Sequence, residues 1–194
     1  MFTGIIETIG IVESLDREGN NINLLVSSSI SKDLEIDQSV SHDGVCLTVT
    51  NKSKKSHNVT IVNQTIQKSK FSDLRIGSEL NLERSMKING RIDGHIVQGH
   101  VDDVGKCVNI EDESNSWIFT FQISDKFSRY LVEKGSISIN GVSLTCFDIK
   151  DKFFSVAIIP HTYQNTNFNK IKINEFVNIE FDIIGKYVDR IIKK

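Results

Sequence analysis

The feature that most limits what this chain can fold into is an internal repeat. Residues 44–48 (GVCLT) recur as residues 141–145 (GVSLT), 97 positions further along the chain. Three more pairs of blocks keep the same order at nearly the same spacing: 4–7 with 99–102, 62–65 with 159–162, and 80–83 with 177–180. Ordered matches of this kind indicate a tandem duplication, so we predict two copies of one module, joined near residues 87–95.

Each copy has the pattern of a small β-domain. Val45, Leu47 and Val49 alternate with other side chains, as in a strand with one buried face. Further strands are predicted at residues 58–62, 79–83, 116–123, 153–159 and 176–181, with short helical segments at 31–34 and 125–132. Because closure removes exposed strand edges, we predict an all-β fold. It consists of two tandem six-stranded antiparallel Greek-key barrels, in residues 1–90 and 91–183.

The last segment, residues 184–194, has a different period. Apolar side chains recur there at helical spacing and form one stripe: Ile184, Tyr187, Val188, Ile191 and Ile192. A helix this short needs a packing partner to be stable. We expect the same helix of a neighbouring subunit to supply it, with the chain's own barrels as the alternative.

Composition and charge exclude several classes of function. The net charge of −2 opposes non-specific binding of nucleic acid. The sequence predicts neither a signal peptide nor a membrane-spanning helix. The three cysteines have no CxxC spacing and the five histidines form no HExxH motif. We therefore expect reduced thiols, a cytoplasmic location and no metal site.

Outward-facing polar side chains are the first candidates for a ligand site. Strand parity places Cys46 and Thr48 on the face opposite the apolar residues. It places Ser143 and Thr145 on the equivalent face of the second copy. Ser and Thr are common on exposed strands, but a polar pair that follows a turn glycine in both copies favours two related ligand pockets.

The two copies are chemically unequal. Cys46 corresponds to Ser143, and a thiol can act as a nucleophile or proton carrier where a hydroxyl mainly hydrogen-bonds. His100 corresponds to Ile5, so an imidazole occurs in the second copy only. The alternatives are a small buried residue for Cys46 and a hydrogen-bonded structural histidine for His100.

Taken together, five motifs make the whole chain resemble the riboflavin synthases, a family of lumazine-binding double barrels. The motifs are residues 1–7 (MFTGIIE), 44–50 (GVCLTVT), 94–102 (GHIVQGHVD), 140–145 (NGVSLT) and 159–162 (IPHT). The resemblance implies a transferase that converts two molecules of 6,7-dimethyl-8-ribityllumazine into riboflavin and 5-amino-6-ribitylamino-uracil. No cofactor is implied, because donor and acceptor are the same compound. It also implies a homotrimer with active sites between the N-terminal barrel of one subunit and the C-terminal barrel of another. Association with lumazine synthase is a further possibility of this family.

The resemblance also assigns site residues by motif. Catalytic positions fall on Cys46, His100, Ser143 and Asp182, with Phe2 and Thr3 shaping the site. Ligand contacts fall on Gly4, Ile5, Thr48, Gln64, Thr65, Gly99, Val101, Lys134, Thr145, Ile159, Pro160, His161 and Thr162. For Asp182 the alternative is a carboxylate that caps the end of a strand.

The chain departs from the family pattern at three places. Gln64 replaces the usual glutamate, so a carboxylate is missing beside the first pocket, and Asp43 stands where asparagine is commoner. The tail is shorter than in many members.

Two other functions remain open at this stage. A non-catalytic antenna protein would bind the same chromophore, although Cys46 favours the enzyme. An oligonucleotide-binding barrel is opposed by the charge and by the lack of interleaved aromatic and basic residues.

Overall fold

The computed structural model describes residues 1–193, which form two closed antiparallel barrels. The strands of the first barrel are β1 Thr8–Glu18, β2 Asn21–Ser27, β3 Ser39–His42, β4 Val45–Lys52, β5 Ser56–Ile61 and β6 Glu79–Arg84. Those of the second are β7 Asp103–Asp112, β8 Trp117–Gln122, β9 Ser136–Ile139, β10 Val142–Lys150, β11 Phe153–Ile158 and β12 Phe176–Phe181. Around the first barrel the order is β1-β2-β5-β4-β3-β6, and the second barrel repeats it. Because β2 lies beside β5, each barrel is a Greek key. The predicted fold class is confirmed.

The barrel interiors follow the predicted parity. In β4, Val45, Leu47 and Val49 are buried, whereas Thr48 is exposed and Cys46 is half-buried. The core of the first barrel is mainly aliphatic, and that of the second is rich in phenylalanine. Alternation along the strands therefore directs one set of side chains into each core and leaves the other set for the outer surface.

The core of the first barrel also contains two histidines. His42 and His57 are fully buried, and their Nε2 atoms lie 2.9 Å apart. The other ring nitrogens contact the carbonyl of Val40 and the hydroxyl of Ser31. Burial lowers the pKa of His42 to about 3 and that of His57 to about 4, so both are neutral at pH 7.

The helices are short. Single 3-10 segments, Ser31–Asp33 and Asp125–Tyr130, lie where helical segments are predicted. Two helices that were not predicted follow β5 and β11: α1 (Asn63–Lys68) and α2 (Pro160–Asn165). Each is followed by a 3-10 segment, Lys70–Asp73 or Asn167–Lys170. Six residues are too few to show a helical period, although a proline at the first position is a start signal in α2.

The two barrels meet across a pseudo-twofold seam. Asn81 Nδ2 donates to the Asn140 carbonyl at 2.9 Å, and Asn178 Nδ2 donates to the Asp43 carbonyl at 2.9 Å. The unusual Asp43 breaks this symmetry, since its buried carboxylate lies 2.7 Å from the ammonium of Lys70. The aspartate that stands at position 43 in place of the commoner asparagine thus has Lys70 as its counter-ion within the seam.

The tail forms α3, Ile183–Ile192. Its polar side contacts the second barrel through Lys186, 2.6 Å from Asp102, and through Asp189, which accepts from the Tyr130 hydroxyl at 3.0 Å. The apolar stripe faces away from the barrels, with Ile184 62% and Ile191 70% exposed. The alternative of packing on the chain's own barrels is therefore wrong. None of the helices in the described part of the chain has the length and apolar character needed to cross a membrane.

Candidate active site

Two extended segments, which we call the arms, lie between the barrels. The first arm is residues 1–6 and the second arm is residues 96–101. They pair with each other at Phe2 and Val97, whose backbones exchange hydrogen bonds of 2.7 and 3.0 Å. Both side chains are fully buried. Phe2 and Val97 thus join the two arms at a buried point.

Each arm contacts the barrel of the other repeat. The Cys46 backbone N–H, in β4 of the first barrel, donates to the Gly99 carbonyl of the second arm at 2.8 Å. The Ser143 N–H, in β10 of the second barrel, donates to the Gly4 carbonyl of the first arm at 2.8 Å. The arms are therefore crossed: the arm that precedes one barrel in the sequence binds to β4 or β10 of the other barrel.

The crossing requires glycine in both arms. Gly4 has φ +79° and Gly99 has φ +83°, a left-handed conformation that costs other residues energy. A Cβ on Gly4 would lie 2.5 Å from the Cβ of Ser143, and one on Gly99 would lie 2.6 Å from the Cβ of Cys46. Only a residue without a side chain lets the arm backbone reach these two strands.

The first half-site is a cavity of about 380 Å³ beside Cys46. It is lined by β4, α1 and the second arm, through Val45, Cys46, Gln64, Thr65, Lys68, Ser69, Gly99, His100 and Val101. Six residues assigned from the sequence thus come together here. His100 belongs to the second copy in sequence, but it lines the cavity at the first barrel together with Cys46. The reason is the crossing of the arms.

The second half-site contains a histidine that the sequence analysis missed. Ser143 Oγ lies 2.6 Å from His95 Nδ1, and His95 is almost completely buried. Burial lowers the pKa of His95, and the nearby charge of Asp182 acts in the opposite direction. A neutral imidazole with its proton on Nε2 can accept the Ser143 hydroxyl proton. Ser143 therefore has a potential base beside it, whereas the sequence analysis treated it as an unactivated hydroxyl.

The sequence-based predictions gave His95 no role, because this histidine was considered only for a metal motif. It lies outside the strands, and its backbone N–H donates to the Thr3 carbonyl at 3.1 Å. The neighbouring Gly94 has no room for a side chain, since a Cβ there would lie 2.7 Å from that of Ser143. The motif at residues 94–102 was the signal that could have pointed to this contact.

The remaining assigned residues do not line the cavity beside Cys46. Thr48 and Thr145 are exposed on the outward faces of β4 and β10. Ile159 precedes α2, and Pro160, His161 and Thr162 form its first turn. Ile5 and Lys134 are exposed, and Lys134 has a positive φ.

Asp182 is the N-cap of α3. Its carboxylate accepts from the Ile184 N–H at 3.0 Å, which satisfies one of the free donors at the helix start. It therefore caps a helix rather than a strand, and it also lies close enough to His95 to affect the pKa of that imidazole.

The chain is similar to proteins of one known family. The lumazine binding domain model matches residues 3–85 and 98–182, once in each barrel. A riboflavin synthase of Bacillus subtilis is 40% identical over the whole of this chain and 91% of its own length. Those of Actinobacillus pleuropneumoniae and Saccharomyces cerevisiae are 39% and 37% identical, over 100% and 98% of this chain and 91% and 85% of their own lengths.

Solved structures support the fold. LumP complexed with riboflavin superposes with a TM-score of 0.87, and LumP complexed with 6,7-dimethyl-8-(1'-D-ribityl) lumazine with 0.84. Both are 22% identical to this chain, and the match covers 93% of it and 99% of the LumP chain. The duplicated barrels, the doubled family match and the full-length relatives lead to one conclusion: the chain belongs to the lumazine-binding domain family and, within it, to the riboflavin synthases.

Proposed function

We propose that this protein converts two molecules of 6,7-dimethyl-8-ribityllumazine into riboflavin and 5-amino-6-ribitylamino-uracil. A four-carbon unit leaves one lumazine and joins the other, and the two products together contain all the atoms of the two substrates. The reaction therefore needs no oxidant and no cofactor. The observation that carries the proposal is the pair of related half-sites, one with Cys46 and His100 and one with Ser143 and His95.

Paired half-sites suit a reaction between two identical heterocycles. Holding both rings in contact replaces a bimolecular encounter by a nearly unimolecular step, which is worth up to about 7–11 kcal/mol. The lumazine C7 methyl is acidic because its anion delocalises into the ring, so one substrate has to lose a proton and the other has to accept a nucleophile at C7. Similar binding surfaces with different proton-transfer groups can supply these two unlike roles.

We assign roles to the residues on this basis. Cys46, His100, Ser143 and Asp182 act in catalysis, and Phe2 and Thr3 shape the site. The ligand contacts are those given by the family motifs, with Gln64 and Thr65 in the first half-site and His161 and Thr162 at α2 beside the second. Gln64 supplies an amide where relatives of this family usually have a carboxylate.

The proposal extends to assembly. We propose a homotrimer in which the first half-site of one subunit faces the second half-site of another. The exposed apolar stripe of α3, which its own barrels leave uncovered, supports contact with the same helix of a neighbour. The functional units proposed are residues 1–90, 91–183 and 184–194. A cytoplasmic location is supported by the three free thiols, and association with lumazine synthase is proposed from the family alone.

Turnover of purified protein with the lumazine alone tests the function. Riboflavin and 5-amino-6-ribitylamino-uracil are expected in equal amounts, with two lumazines consumed for each riboflavin. Cys46→Ser should lower the turnover rate far more than the lumazine affinity, because the hydroxyl is a poorer nucleophile and acid than the thiol. Thr50→Ser, an exposed position further along β4, is the matched control and should leave both unchanged.

Other outcomes identify the rival functions. Tight binding of the lumazine with a changed emission spectrum and no product would favour an antenna protein. Affinity for single-stranded nucleic acid at moderate salt would favour the oligonucleotide-binding barrel. A Cys46→Ser variant with the wild-type rate would show that Cys46 is a packing residue.

A further inference from the structure

Two buried carboxylates, Glu83 in β6 and Glu180 in β12, occupy equivalent positions in the two repeats. Neither is among the residues that line the cavity of the first half-site, and neither is among the assigned site residues. We propose that each is a positioning residue that fixes the arm completing the half-site of the opposite barrel. The proposal rests on the proposed function only in taking the half-sites as lumazine sites.

Glu180 holds the second arm through its backbone. Its Oε1 accepts from the Gln98 N–H at 2.6 Å, and its Oε2 accepts from the Gly99 and His100 N–H groups at 2.8 and 2.7 Å. The side chain is buried, with the residue 2% exposed. Three consecutive amides therefore point at one carboxylate, which sets the path of the segment that carries His100.

Glu83 holds the first arm in the equivalent way. Its Oε1 accepts from the Thr3 N–H at 2.7 Å and from the Thr3 hydroxyl at 2.8 Å, and its Oε2 accepts from the Gly4 N–H at 3.0 Å. The residue is 4% exposed. Each carboxylate accepts three hydrogen bonds from an arm, so a substitution of one glutamate serves as the control for the same substitution of the other.

The crossing of the arms determines what each carboxylate controls. Glu180 belongs to the second barrel, but the Gly99 it binds accepts a hydrogen bond from Cys46 in the first barrel. Glu83 belongs to the first barrel, but the Gly4 it binds accepts from Ser143 in the second. A change at either glutamate is therefore transmitted to the half-site of the other barrel.

A carboxylate suits this task better than an amide of the same size. Both of its oxygens accept, and hydrogen bonds to an ionised acceptor are about twice as strong as neutral ones. In Glu180→Gln, an NH₂ group would replace one oxygen and would face backbone N–H groups that also donate. The arm should then leave its position although the packing volume of the side chain is nearly unchanged.

The first test needs no ligand and uses the reactivity of Cys46. Burial raises the pKa of Cys107 to about 11 and that of Cys146 to about 12, so neither competes for iodoacetamide near pH 8. Glu180→Gln should increase the alkylation rate of Cys46 about threefold to tenfold, because the second arm no longer covers β4. Glu83→Gln should leave the rate unchanged, since its arm contacts the other barrel.

The second test measures lumazine binding at each half-site separately. Protection of Cys46 from alkylation reports the first half-site. The indole N–H resonance of Trp117, the only tryptophan, is the reporter for the second, because its ring stacks 3.7 Å from that of Tyr163 in α2, the repeat equivalent of the helix α1 that lines the first half-site. Glu180→Gln should weaken binding at the first half-site about tenfold, equivalent to about 1.4 kcal/mol, and leave the second unchanged. Glu83→Gln should do the reverse.

The crossed pattern separates positioning from simple stabilisation. Both variants lose equivalent buried networks and should lose similar unfolding free energy in urea. An effect confined to the half-site of the mutated barrel, or equal effects at both, would overturn the proposal. Should Glu180→Gln fail to fold, Glu180→Asp can replace it. This variant keeps the charge, but its shorter side chain moves the carboxylate oxygens away from the N–H groups of the second arm, so the same effects at the first half-site are expected. If the wild type does not bind the lumazine, the proposed function fails, whereas the Cys46 alkylation rates still decide this proposal.

Discussion

Replacing Gly99 by alanine tests whether the close approach of the second arm to β4 builds the first half-site. The added methyl group would lie 2.6 Å from the Cβ and 2.8 Å from the backbone nitrogen of Cys46. Backbone atoms cannot move aside as the end of a flexible side chain can. The arm itself should therefore shift, which would lengthen the hydrogen bond from Cys46 to the Gly99 carbonyl.

Gly77→Ala is a matched control for the size of this effect. Gly77 has φ +85°, almost the same as the +83° of Gly99, but no atom lies within 4 Å of a Cβ built there. Left-handed backbone strain should cost either variant about 1–2 kcal/mol. Overpacking should cost Gly99→Ala about 1–3 kcal/mol more. The difference between the two variants thus isolates the contact with Cys46 from the backbone strain.

Urea unfolding and lumazine binding measure the two consequences. Gly99→Ala should lose about 1–3 kcal/mol more unfolding free energy than Gly77→Ala, and it should weaken binding at the first half-site. Gly77→Ala should bind the lumazine normally, because Gly77 is not among the residues that line the first half-site. Equal losses of stability with normal binding in both variants would refute the idea that the arm position depends on this glycine.

Two further predictions concern histidines. The pKa values of His42 and His57, about 3 and about 4, lie below the unfolded value of about 6.5, so the unfolded chain takes up protons first as the pH falls. The two histidines should contribute fully to the free energy of unfolding above about pH 6.5, and this free energy should fall by up to about 2.7 kcal/mol per pH unit towards pH 4. Urea unfolding of a variant with both His42→Ile and His57→Phe should show a weaker dependence of that free energy on pH. In the second half-site, His95→Asn should reduce turnover by about 10²-fold with lumazine affinity nearly unchanged, if His95 takes the Ser143 proton. In steady-state kinetics, adding Ser143→Ala should then cost no more than the worse single change, whereas additive losses would show that the two residues act independently.

The two barrels and six of the strands (β4, β5, β6, β8, β11 and β12) could be predicted from the sequence because their side chains alternate, whereas no range was predicted for the other six. The range 176–181 predicted from alternation is that of β12, and the outward direction of Cys46 and Thr48 followed from parity in β4. The repeat then supplied the second barrel from the first. Alternation of this kind depends only on neighbours in sequence, so no tertiary information was needed.

The helices α1 and α2 and the partners of the arms could not be predicted in the same way. Each helix has six residues, which is less than two turns and shows no period. Alignment of the repeats correctly matched His100 with Ile5, but it reports the copy in which a residue occurs and not the barrel that it contacts. The contact between His95 and Ser143 joins residues 48 positions apart through irregular backbone, where no pattern indicates a partner.

The crossed arms have a consequence for protein engineering with members of this family. A chimera that joins the N-terminal half of one relative to the C-terminal half of another, between the end of β6 and the start of the second arm, would appear to exchange whole modules. Both half-sites of such a hybrid would nevertheless be mixed, because β4 and the second arm would come from different parents, as would β10 and the first arm. Loss of activity in that hybrid would report a mismatch between arm and barrel, even where both parental modules fold correctly.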